Sequence, residues 1–321
     1  MNAFGKSSVV FVTLSGLFWG GWVVGSQTPE GQEALARAYQ TYTEQQAAAN
    51  EHLFDTTALR AIVCGDESGV DRTDPKPCLA VAAAGRLFIV DAGAGASSSL
   101  TRRGIPLERL EAVLLTDADL PQTADLSALF AESTRGGQDG LLPVYGPSAT
   151  QRLVDGLNQA GGFDGATRGL QAWGPSPEEG RSVIVFEADG LVVSAFATED
   201  SFNGSRVAYR FDYRGRSIVV GGDGQAAGVD AARDADVILQ GAQSEALARV
   251  GDERATAADI AADAQAGNAG MLMLTGAENQ MAAQVQVAEA RAAGFDNVRP
   301  GRAGMLVELP LENSEINVRP L

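Results

Sequence analysis

Gly85-Arg-Leu-Phe-Ile-Val-Asp-Ala-Gly-Ala-Gly95 runs from a buried strand into a glycine turn. Residues 87–90 are apolar without a break, which suits a strand covered on both faces better than one with a wet side. The turn lacks the lysine and the wider spacing of a phosphate-cradling loop. Its expected work is a tight bend in which glycine lets another stretch of backbone come close.

Working outward, residues 59–64 and 78–83 are two further short apolar runs. Downstream come a helix-like stretch at 97–103, a Gly104-Ile-Pro turn, the strand Ala112-Val-Leu-Leu-Thr116, and helical patterns at 125–133 and 148–160. A second block holds strands at 182–187, 191–197, 207–213, 216–221 and 237–240. Helices at 256–266 and 279–293 then flank a strand at 270–275, and 305–309 is the last apolar strand. Hairpin signals such as Tyr213-Arg-Gly-Arg216 alternate with helices in each half. This predicts a layered α/β sandwich built from two βα halves.

The chain has 321 residues, with 41 acidic against 24 basic side chains and a net charge of −17. Such a surface repels nucleic-acid phosphates and no Lys/Arg cluster offsets it, so no nucleic-acid partner is expected. His52 is the only histidine and Gly-x-Ser-x-Gly is absent, which removes Ser–His–Asp catalysis from the candidates. Asn203-Gly-Ser205 fits a glycosylation pattern, but a pattern this short arises often by chance.

Residues 8–25 read SVVFVTLSGLFWGGWVVG, eighteen in a row without a charge, preceded by Lys6. This is near the lower length limit for a bilayer-spanning helix and long for a signal-peptide core, and Trp19 and Trp22 suit a membrane interface. The expected organisation is an anchor or cleavable signal at 1–28, a helical stalk at 29–58 and one domain at 59–321. The expected location is the cytoplasmic membrane, single-pass, with the domain in the periplasm or outside, and secretion if the segment is cleaved. In that setting the even cysteine count suggests a disulfide between Cys64 and Cys78, the alternative being two buried thiols.

Cys64-Gly, Pro77-Cys78, the 85–95 segment and Leu114-Leu-Thr116, in that order, resemble the metallo-β-lactamase-fold hydrolases, in the branch of ribonuclease Z and arylsulfatase-like enzymes. Pro143-Val-Tyr-Gly-Pro147, the segment from Tyr209 to Asp223 and Leu272-Met-Leu-Thr275 extend the resemblance over residues 60–310. It implies a four-layer αββα sandwich with a metal site at the strand ends. In that family a His-x-His-x-Asp-His loop follows the Leu-Thr strand; here the loop is Asp117-Ala-Asp119-Leu-Pro121-Gln122. The resemblance puts the next metal histidine at Asp200, the bridging aspartate at Asp223 and the last histidine at Gly276.

A hydrolytic zinc site needs three or four close ligands and an open position for water. Pro121 and Gly276 offer no ligand and Gln122 a poor one, so a dinuclear zinc centre is not expected and no catalytic residue is assigned. Asp117, Asp119, Asp200 and Asp223 would still converge. They are either a vestige or an oxygen-only site for Ca²⁺, Mg²⁺ or Mn²⁺, the cations that prefer such donors. Two functions follow as expectations. One is a non-catalytic, membrane-tethered binding or assembly subunit whose partner is an active paralogue or a membrane complex, in a family that dimerises. The other is an ester or phosphodiester hydrolase with a carboxylate-held cation.

Overall fold

Arg86–Val90, the apolar run of the central segment, is β3 of an eight-stranded sheet in the computed structural model, which describes residues 28–65, 76–175, 177, 181–201, 204–222, 224–247 and 254–321. The chain divides into two compact units, 1–50 and 51–321. In the first, α1 (Pro29–Asn50) is a single polar helix with Glu30 in its first turn and an exposed Arg37–Glu33 pair one turn apart.

The second unit holds two sheets. The first runs from edge to edge as β15 (Asn317–Pro320), β14 (Met305–Pro310), β1 (Ala58–Val63), β2 (Leu79–Ala83), β3, β4 (Leu110–Leu114), β5 (Leu141–Tyr145) and β6 (Gly169–Trp173). The other runs as β13 (Val298–Pro300), β12 (Met271–Thr275), β11 (Val237–Gly241), β10 (Arg216–Gly221), β9 (Gly204–Tyr213), β8 (Leu191–Ser201) and β7 (Ser182–Ala188). Each has antiparallel hairpins on one side and parallel strands on the other: β3 to β6 in the first, β10 to β13 in the second. Helices carry the parallel crossovers, as such connections require.

Side-chain alternation sorts the apolar residues into three cores. Leu59, Val81, Phe88 and Leu114 face Val193, Tyr209, Phe211 and Leu239 between the sheets. Phe88 meets Phe186 and Phe211 edge-on, with ring centroids 5.0 and 5.7 Å apart, so aromatic contacts span the two sheets. On the outer face of the first sheet Leu87, Ile89 and Val113 pack with α2 (Ala96–Arg102), α4 (Leu126–Arg135) and α5 (Thr150–Gly161). On the outer face of the second, Val219, Ile238 and Leu272 pack with α7 (Ala257–Ala266) and α8 (Gln280–Ala292). Because both faces of each sheet are covered, central strands such as β1, β2 and β10 are buried throughout. Their sequences are mainly apolar, with Arg60 in β1 and Arg216 and Ser217 in β10 as buried polar exceptions.

The closing of the first sheet uses a buried charge. Arg60 of β1 sits opposite Glu308 of β14, its Nε 2.7 Å from the carboxylate, and its Nη1 donates to Asp55 at 2.9 Å and to the Leu53 carbonyl at 3.2 Å. Three strands carried no sequence signal: β6, β13 and β15 are short edge segments that mix polar and apolar residues.

Cys64 and Cys78 are joined by a disulfide, Cα atoms 5.0 Å apart, tying the end of β1 to the start of β2. Closing a loop of this size stabilises a fold by about 3 kcal/mol in the chain-entropy estimate. Replacing both cysteines with alanine should lower unfolding stability in urea by about that amount, and an unchanged midpoint would refute the structural role.

The membrane placement is corrected. No helix among the described residues is long and apolar enough to cross a membrane. The long helix that is described, α1, is polar, and the apolar stretch 8–25 that suggested a span lies outside the described residues. Nothing in the fold supports a single-pass membrane protein with its domain in the periplasm, or a membrane partner through an N-terminal helix.

Candidate functional site

The site is built where β3 and β4 end. Asp91, at the end of β3, has φ 59°, a left-handed conformation that aspartate tolerates better than most residues. Its carboxylate accepts from the Thr116 amide at 2.8 Å and from the Thr116 hydroxyl at 2.7 Å, so one buried side chain fixes the start of the next loop. The glycine turn does the work its sequence suggested. A Cβ on Gly93 would lie 2.6 Å from the Pro77 carbonyl, and the Gly93 amide donates to that same oxygen at 2.8 Å. The Ala92 amide donates to the Gln122 carbonyl at 2.6 Å, holding the far end of the 117–122 loop.

Within that loop α3 (Leu120–Thr123) begins at Asp119, with Pro121 in its first turn where a missing N–H costs nothing. Pro121 is exposed and Gln122 is buried. Asp119 is part-exposed; its carbonyl takes the Gln122 amide at 3.1 Å and the Thr123 hydroxyl at 2.9 Å.

Three consecutive positions just past β4 are stitched to β9 of the second sheet. The Tyr209 hydroxyl donates to the Leu115 carbonyl at 3.0 Å, the Val207 amide to the Thr116 carbonyl at 3.0 Å, and Arg206 Nε to Asp117 Oδ2 at 2.7 Å. Burial, and then the neighbouring Asp91, raise the Tyr209 phenol well above its usual value. The folded state therefore resists its ionisation, and this contribution, complete below the unfolded phenol's value of about 10, is lost as pH climbs beyond it.

Of the four aspartates singled out in the sequence, Asp117 is buried and paired with Arg206, while Asp119 lies two residues on at the N-terminus of α3. Asp200 is in β8, registered against Ser205 of β9, but its side chain lies outside the described residues, and so does Asp223. Gly276, where the resemblance puts the last histidine, has φ 81°. Among the described residues no three His, Cys, Asp or Glu side chains come together to hold a metal. With Asp117 bound to a guanidinium and neither Pro121 nor Gly276 able to ligate, the described side chains do not fit a zinc pair. Arg206 is the residue that sequence reasoning missed. A lone arginine at the start of a strand carries no signal of its own.

The same fold recurs among solved structures. YhfI from Bacillus subtilis, titled a metallo-β-lactamase-fold protein, superposes with a TM-score of 0.63 at 18% identity over 79% of this chain and 100% of its own. The short form of human tRNase Z gives 0.61 at 16% identity, covering 78% and 99%. This chain has the metallo-β-lactamase fold. A diphosphatase of the PhnP family is a further neighbour, with a TM-score of 0.56 at 14% identity over 81% of this chain and all of its own. In sequence, ribonuclease Z of Mycobacterium marinum is 30% identical over 158 residues, 46% of this chain and 56% of the relative. Ribonuclease Z of Bradyrhizobium diazoefficiens is 28% identical over 123 residues, 37% of this chain and 38% of the relative. The chain thus spans about half the length of the curated relatives it matches. No family model matches. These curated relatives are ribonucleases Z, the branch that the segments from Cys64 to Thr275 resemble.

Proposed function

We propose that this chain engages an ester or phosphodiester at the carboxylate-bearing strand ends, without the zinc pair of its fold. The observation that carries the substrate class is the company of its sequence and structure: ribonuclease Z, tRNase Z and a diphosphatase share the fold, and their names all concern phosphate esters or anhydrides. The net charge of −17 argues for a small substrate over a long RNA, whose phosphates such a surface repels. The names of these relatives support hydrolysis. In this reading a hard cation (Ca²⁺, Mg²⁺ or Mn²⁺), which prefers oxygen donors, is held by carboxylates drawn from Asp119, Asp200 and Asp223.

A second form, binding or assembly without turnover beside an active paralogue, is supported by the ion pair that engages Asp117. The two forms part on one experiment. Purified protein is assayed with bis(p-nitrophenyl) phosphate and p-nitrophenyl acetate in the presence of Mn²⁺, Mg²⁺ or Ca²⁺, beside an Asp119→Asn/Asp223→Asn variant. Cation-dependent turnover that the variant loses is the expected result. No turnover with any of the three cations sinks the hydrolase form and leaves the binding form.

A further inference from the structure

We infer that Arg206 is the resident cation of this site, a guanidinium built into the chain that neutralises Asp117 and keeps it from a divalent metal. The inference goes beyond the proposed substrate class and holds whether or not the chain turns that substrate over.

Three observations carry it. First, the pair is close and largely out of water: Nε and Oδ2 are 2.7 Å apart, with side chains 25% and 9% exposed. Burying a carboxylate to this degree is costly unless a positive group is paired with it. Second, both oxygens of Asp117 are engaged, Oδ2 by Arg206 and Oδ1 by the Ala118 amide at 2.7 Å. A metal taking this carboxylate would have to share it with a guanidinium held 2.7 Å away, whose positive charge repels the metal. The alternative is to displace a charged hydrogen bond, among the stronger bonds a side chain makes.

Third, the arginine lies in a cradle. A Cβ on Gly224 would stand 2.8 Å from Arg206 Cδ and 3.0 Å from both Nε and Nη1, so the side chain lies against main chain that only glycine leaves free. The register that delivers it is fixed next door, where Val207 and Tyr209 bond to Thr116 and Leu115. The ion pair therefore spans both sheets at the point where the resemblance puts a metal-binding histidine.

A double-mutant cycle on the full chain tests this, with Asp117→Asn, Arg206→Met and the two combined, read by urea unfolding and by calorimetric titration with Mn²⁺ and Zn²⁺. The folding constant should drop about tenfold to a hundredfold in each single variant and by less than the product in the double. Arg206→Met, which frees the Asp117 carboxylate, should bind Mn²⁺ or Zn²⁺ more tightly than the unmodified protein, and the double variant should not. Losses that simply add, or unmodified protein that takes up either metal as tightly as Arg206→Met, would overturn the inference. Should Arg206→Met fail to fold, Gly224→Ala crowds the guanidinium by one methyl group. It should lower the unfolding midpoint in the presence of Asp117 and much less with Asn there, and equal effects in both backgrounds would overturn the inference. None of these readouts involves hydrolysis, so its absence would count against the proposed substrate class alone.

Discussion

Dialysed protein should carry no stoichiometric zinc. Zinc in such sites draws its affinity from imidazole nitrogen and from carboxylates that are free to ligate. The chain has one histidine, His52, in the turn before β1, and its Nε2 lies 3.3 Å from an Arg319 guanidinium nitrogen. Asp117 is paired with Arg206, Pro121 has no donor, and Gly276 has no side chain. Histidine at Asp117, Asp119, Gln122, Asp200 and Gly276 together should raise zinc affinity. The gain is opposed at Gly276, where φ 81° strains any side chain by about 1–2 kcal/mol. Zinc-dependent hydrolysis should not follow from those histidines alone, because Pro121 still lacks the ligand that the resemblance puts there. Elemental analysis settles the first point: zinc near one per chain in the unmodified protein contradicts it.

Asp91→Ala should be among the most destabilising single substitutions in the domain. It strands the Thr116 amide, deprives the Thr116 hydroxyl of its acceptor, and puts alanine at φ 59°. A buried donor left unsatisfied costs about 1–3 kcal/mol, and the backbone strain adds about 1 kcal/mol, so the loss should be about 3 kcal/mol. Asp91→Asn keeps an acceptor and tolerates the same backbone, and should lose about 1 kcal/mol. Urea unfolding of the two variants provides the check. An alanine variant no less stable than the asparagine variant would mean that Asp91 does not organise the loop.

The architecture was legible because two-sided burial writes itself into sequence as unbroken apolar runs. Leu87 to Val90 has no polar residue because one face meets the other sheet and the other meets helices. β6, β13 and β15 escaped notice because an edge strand is covered less completely, and Trp173 at the end of β6 is left 49% exposed. The disulfide was suggested by the even cysteine count in a chain read as exported. The bond is present, although the described helices do not support the membrane placement that helped to suggest it. Asp117 and Asp119 lie on the loop that follows β4, but what became of Asp117 was not readable. Its partner lies 89 residues along the chain, and only the strand register of β9 decides which side chain arrives opposite it. Hydropathy suggested the membrane placement, and the described helices do not bear it out.

The pairing of β1 with β14 sets a timetable for synthesis. Arg60 and Glu308, neighbours across that pair, are 248 residues apart in sequence. At translation speeds of about 5–20 residues per second, β1 leaves the ribosome on the order of ten to fifty seconds before its partner exists. During that wait Arg60 has no Glu308, and one edge of β1 is an open row of amides and carbonyls of the kind that recruits foreign strands. The nascent chain is therefore most exposed to aggregation before its last strands emerge, and it depends on whatever shields β1 until they do.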